Sequence, residues 1–225
     1  MFELIQASAR TYYVNSPSKI GIFLLPDHHV IAIDSGNDKD AGRKLRQLLE
    51  AQGWILDAIY CTHSNADHIG GCQYLQKQTG CRVFAPGIEC DFTNHPILEP
   101  SFLYGAYPCK ELRNKFLMAQ SCCCNPLSEA DLPDGLRMIP LPGHFFDMTG
   151  FRTCDDVVFL ADCLSSRETL SKYRIPFIYD TAAYLDTLSR VRQMQARLFI
   201  PSHAEACEDI SALAQYNIDV VMEIA

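Results

Sequence analysis

No stretch of this 225-residue chain is apolar for long enough to cross a bilayer, which takes about 20 residues. The opening segment carries Glu3 and has no apolar core of the kind a secretory signal needs. A soluble, cytoplasmic protein is therefore expected. Basic residues are scarce: 19 Lys and Arg stand against 27 Asp and Glu, a formal net charge of −8. That balance opposes a nucleic acid or an anionic membrane as partner, since both are gripped through basic surfaces. The serine-hydrolase elbow G-x-S-x-G is absent, as are a phosphate-binding P-loop and a dinucleotide fingerprint. Cysteine is plentiful at 11, yet no two form a C-x-x-C pair, which excludes zinc-ribbon and thioredoxin-like motifs. In a reducing compartment these cysteines read as small, weakly polar core residues. Cys122, Cys123 and Cys124 are consecutive, so their side chains diverge and poorly suit a shared soft metal.

What is present is an alternation of strands and helices. Short aliphatic runs at 21–25 and 30–34 are separated by Pro26-Asp27-His28-His29, a hairpin-like break. Ala41, Leu45, Leu48 and Leu49 then share one helical face, and Gly53 sits where a helix C-cap belongs. A buried strand is predicted at 55–60, a helix at 69–77 and a strand at 81–84. Further strands are predicted at 136–141, 157–160 and 198–201, a helix around 179–195, and a last helix beginning near Glu205. This rhythm indicates an α/β protein of one domain spanning 1–225. Between them, about 88–133 is rich in proline and aromatics and reads as an irregular insertion, either a lid over a binding site or a packed contact surface.

Four of the predicted strands run into a potential metal ligand. The strand at 55–60 leads to Thr62-His63-Ser64-Asn65-Ala66-Asp67-His68-Ile69-Gly70-Gly71. The next leads through Leu141-Pro142-Gly143 to His144, a third to Asp162, and the last through Pro201-Ser202 to His203. Imidazole and carboxylate suit zinc, iron or manganese, and strand ends are where α/β folds place ligands. Any one of these residues is explained as a satisfied core or capping residue. The ordered set is not.

The set resembles the metallo-β-lactamase superfamily, whose pattern is H-x-H-x-D-H, a histidine after Pro-Gly, a strand-end aspartate and a last histidine. The resemblance runs from Asp34-Ser35-Gly36, similar to the family's D-T-G turn, to His203. It implies an αββα sandwich with a metal site at the edge of paired sheets. It further implies His63 and His144 on one metal, Asp67, His68 and His203 on a second, Asp162 between them, and Asp34 orienting a ligand. One position departs: Asn65 stands where the family has its second histidine, so the first site loses a good donor.

The activity so implied is a metal-dependent hydrolase, with one or two zinc ions (iron or manganese in some members) activating a water to attack an ester-like bond: thioester, lactone or phosphodiester. Asp67 would handle the proton. Two other readings stay open, a mononuclear non-haem iron sulfur oxidoreductase using His63, His144 and Asp162, and a metal-binding protein without turnover. The substrate is expected to be a small molecule. Lys110, Arg113 and Lys115 among Phe102, Tyr104 and Tyr107 suggest that it is anionic, unless they form an ordinary solvated face. The aromatic insertion could equally pair two copies of the chain as a homodimer.

Overall fold

The computed structural model describes residues 2–224. Contacts divide the chain into two compact units, Met1–Asp131 and Leu132–Ala225.

The first unit opens with β1 (Glu3–Gln6), β2 (Thr11–Asn15), β3 (Ile20–Leu24) and β4 (His29–Ile33). It continues with α1 (Lys39–Ala51), β5 (Ile55–Tyr60), α2 (Ala66–Ile69), α3 (Cys72–Thr79), β6 (Arg82–Pro86), α4 (Glu89–Asn94), α5 (Leu98–Tyr104) and β7 (Cys124–Leu127). The seven strands lie side by side in chain order. Pairing is antiparallel from β1 to β4, where short links suffice, and parallel from β4 to β7, where each return needs a crossover. Ala41, Leu45 and Leu49 form the buried face of α1, and Asp38 caps it by accepting from the Ala41 N–H at 2.9 Å. Leu45 and Leu49 join Ile22, Val30, Ile59, Leu75 and Val83 in one apolar core. Six cysteines pack into it: Cys61, Cys72, Cys81, Cys90, Cys122 and Cys124. Cys123 is exposed, as alternation along an extended chain requires.

The second unit holds β8 (Leu136–Pro140), β9 (Thr149–Thr153), β10 (Val157–Ala161), α6 (Arg167–Tyr173), α7 (Thr181–Arg192), β11 (Leu198–Pro201) and α8 (Ser211–Ile224). Its sheet runs β11-β10-β9-β8, with β10 and β11 parallel and the rest antiparallel. β10 is buried along its whole length, and its Val158, Leu160 and Ala161 pack with Leu141, Tyr184, Leu188, Phe199 and Ala214.

Three expectations need correction. The single helix predicted at 69–77 is two, α2 and α3, hinged at Gly70-Gly71. A Cβ at Gly71 would lie 2.4 Å from the Ser35 carbonyl oxygen, so the backbones touch only because no side chain intervenes. The last helix begins at Ser211 and not near Glu205, because Cys207 first exchanges both backbone hydrogen bonds with Phe199, at 2.8 and 3.0 Å. The stretch at 88–133 is also more regular than its prolines suggested, carrying α4, α5 and β7. Among the described residues no helix is long and apolar enough to cross a membrane.

Candidate metal centre

In the first unit the chemistry gathers on the loop between β5 and α2. Asp34, just past the end of β4, is buried and held at φ +65°, an uncommon conformation for a residue with a side chain. Its Oδ1 accepts the Thr62 backbone N–H at 2.7 Å, and its Oδ2 accepts both the Thr62 hydroxyl and His68 Nδ1 at 2.8 Å. Because Thr62 Oγ1 spends its proton on Asp34, its 3.0 Å contact with His63 Nδ1 is satisfied by a proton on that nitrogen. One buried carboxylate thus sets both imidazoles with Nδ1 as donor, which leaves the lone pair on Nε2. The two rings lie with centroids 4.1 Å apart. His68 Nε2 is 3.5 Å from Asp67 Oδ2 and 3.2 Å from Ser18 Oγ.

The rest of the loop is braced by the 88–133 stretch. Glu89, fully buried on α4, accepts from the Ser64 backbone N–H at 3.1 Å and its hydroxyl at 2.5 Å. Glu99, buried on α5, accepts from Asn65 Nδ2 at 2.8 Å. Burial lifts the Glu99 carboxyl to about 8; the Asn65 amide pulls against this rise and the nearby Asp67 charge adds to it.

In the second unit, the Pro142-Gly143 turn delivers His144. Gly143 lies at φ +123°, and a Cβ there would sit 2.3 Å from the Tyr184 nitrogen, so no other residue fits. His144 Nδ1 donates to the Phe177 carbonyl at 3.0 Å, which again puts the ring lone pair on Nε2. Asp162 follows Ala161, itself held at φ +50°. Asp162 Oδ2 lies 3.8 Å from His144 Nε2 and 3.2 Å from His203 Nε2.

Imidazoles tied at one nitrogen to a carboxylate or carbonyl, with carboxylates beside the other, are the donor arrangement that borderline divalent metals take. The residues present therefore fit a metal ion. The profile of the Metallo-beta-lactamase superfamily matches residues 22–203, most of the chain. This chain belongs to that superfamily.

The superfamily's fold is also what solved structures show. A metallo-beta-lactamase from Pontibacter korlensis is similar with a TM-score of 0.73 at 14% identity, covering 99% of each chain. The metallo-beta-lactamase SMB-1 bound to 2-mercaptoethanesulfonate is similar with a TM-score of 0.74 at 17% identity, covering 98% of this chain and 95% of that one. Among curated relatives, a hydroxyacylglutathione hydrolase from Methylobacillus flagellatus is 37% identical over 78 residues, 34% of this chain and 30% of the relative. The match thus spans under a third of that protein's length.

Within the superfamily pattern, the structure places His63 on the β5–α2 loop with Asp67 and His68 on α2 directly after it, and His144, Asp162 and His203 at three turns of the second unit's sheet. Asp34, which the resemblance placed beside a ligand, accepts from His68 Nδ1 and from Thr62. Ser18, Glu89, Glu99 and the Phe177 carbonyl were not anticipated. Thr62 carried a signal, as the neighbour of His63; the two glutamates carried none, being 25 and 34 residues from the side chains they hold. Of the insertion's cations, Lys115 donates to Asp38 at 2.7 Å and Arg113 lies over the Tyr107 ring.

Proposed function

We propose that this superfamily member is a metal-dependent hydrolase of small acylated molecules, with a thioester as its substrate class and zinc as its metal. His63, Asp67, His68, His144, Asp162 and His203 are the ligands in this reading. The observation that carries it is the shared orientation of His63, His68 and His144: each has its Nδ1 committed to a protein acceptor, which reserves Nε2 for a metal. Relatives named hydroxyacylglutathione hydrolase support the thioester.

A bound divalent metal supplies Lewis acidity toward the scissile carbonyl and brings the pKa of a water toward roughly 7. The chain's own groups do the rest. Asp67, half-exposed beside His68, accepts the attacking water's proton at its carboxylate and returns one to the departing thiolate. The Asp34 carboxylate keeps His63 and His68 in the tautomer that can ligate. Phe177, whose ring meets that of His144 edge-on at 5.9 Å, and Tyr179 offer apolar surface to an acyl or thiol group. Lys110 and Arg113 are the cations assigned to an anionic end of the substrate. A cytoplasmic site of action fits a chain rich in cysteines that form no disulfide among the described residues.

The test is metal analysis of protein purified without added metal or chelator, followed by a panel of small acyl thioesters monitored by loss of thioester ultraviolet absorbance. Zinc with thioester turnover is the expected result. About one equivalent of iron with no hydrolysis would transfer the assignment to the sulfur oxidoreductase reading, and protein that takes up no metal would end it.

A further inference from the structure

Asn65 occupies the place of the superfamily's second histidine, and a neutral amide is a poor substitute for imidazole. The structure puts a buried carboxylate behind it. Asn65 Nδ2 donates to Glu99 Oε1 at 2.8 Å, and the Ala66 backbone N–H is directed at the same carboxyl group. We propose that Asn65 is a metal ligand through its amide oxygen, and that Glu99 is the positioning residue that makes it one. This rests on the metallo-hydrolase reading above.

The two ends of a planar amide are held on one carbon, so committing the NH2 end to Glu99 turns Oδ1 away from Glu99. It also polarises the amide. An acceptor oxygen drawing on the N–H pushes electron density toward the amide oxygen, as cooperative hydrogen bonding does along a chain of polar groups. The result is a more negative, better oxygen donor. Asp34 treats His68 on the adjoining α2 in the same way, accepting from one end of the side chain and leaving the lone pair at the other. An outer carboxylate of this type is typically worth about 10- to 100-fold in metal affinity.

The experiment is a cobalt(II) titration of the full-length, chelator-stripped protein, followed by visible absorbance and by metal content after gel filtration. Wild type, Asn65→Ala, Glu99→Gln and the double variant are compared, with circular dichroism as the folding control. Asn65→Ala and Glu99→Gln are each expected to weaken at least one cobalt equivalent by about 10- to 100-fold and to change the d–d spectrum. The double variant should be no weaker than Asn65→Ala alone, because Glu99 acts through the amide. Should Glu99→Gln fail to fold, Asn65→Ala still decides whether the amide ligates, and Glu99→Asp, which keeps the charge on a shorter arm, reads the positioning role. Cobalt binding in wild type that Asn65→Ala leaves unchanged would overturn the inference and leave the hydrolase reading standing. A wild type that binds no cobalt would overturn both.

Discussion

The Asp34 carboxylate accepts His68 Nδ1 at 2.8 Å with both side chains almost wholly out of water, 2% and 0% exposed. A hydrogen bond to a charged group in such surroundings is strong, because little solvent competes for either partner. The same carboxylate reaches His63 through the Thr62 hydroxyl. Asp34→Asn keeps the shape but puts an NH2 or a neutral oxygen where a charge fixes two tautomers. We expect zinc affinity to fall about 10- to 100-fold, read by competition with a chromophoric chelator, with the far-ultraviolet circular dichroism spectrum retained. Unaltered affinity would show that the imidazoles hold their orientation without Asp34.

Thiol reactivity should follow burial. The largest single influence on Cys61 is its hydrogen-bond contact with Cys72, which lowers its pKa, but burial together with the neighbouring Cys124, Asp34 and Cys122 pushes the thiol up to about 12. Burial likewise raises Cys163 and Cys124. Thiolates are the reactive form, so these groups are inert in the folded state. Cys109, Cys123 and Cys154 are the exposed ones. Titration of the native protein with a disulfide reagent is expected to show about three fast thiols, the remainder appearing only in denaturant. Fast labelling of Cys61 or Cys72, identified by peptide mapping, would contradict the packed core.

Glu99 links stability to pH in the metal-free protein. Its carboxyl is near 8 when folded, against an ordinary value of 4.5. Below the lower value both states hold the proton and nothing changes. Between the two, the unfolded chain releases its proton while the folded chain keeps it, so stability falls as pH rises, and the loss is complete above the folded value. His68 and Asp67 face the same group, so the informative quantity is the difference between wild type and Glu99→Gln in chelator. That difference in urea midpoint should grow in the variant's favour from about pH 5 to about pH 8. A constant difference would place the Glu99 carboxyl in its ordinary range.

Much of the candidate site was legible because residues of ligand chemistry sit at strand ends, and strands are readable from aliphatic runs. His63, Asp67, His68, His144, Asp162 and His203 each follow such a run or the turn after it. The parts that were not legible depend on groups distant in the chain. Nothing local distinguishes Glu89 and Glu99 from exposed acids: they fall among prolines and aromatics, and their burial is known only once α4 and α5 are placed against the β5–α2 loop. Short helices such as these escape a periodicity argument because they hold too few turns to show a face. The late start of α8 escaped for a related reason, since the Phe199–Cys207 pairing is a tertiary contact that competes with helix.

The sequence by itself determined the α/β alternation, the ordered set of strand-end histidines and aspartates and the superfamily, because hydrophobic period and residue chemistry are properties of neighbours along the chain. Only the tertiary structure decided which nitrogen of each tethered imidazole is left for a metal, and that Asn65 is backed by Glu99. Hydrogen-bond partners and desolvation are set by what surrounds a side chain in space, and no local pattern encodes them.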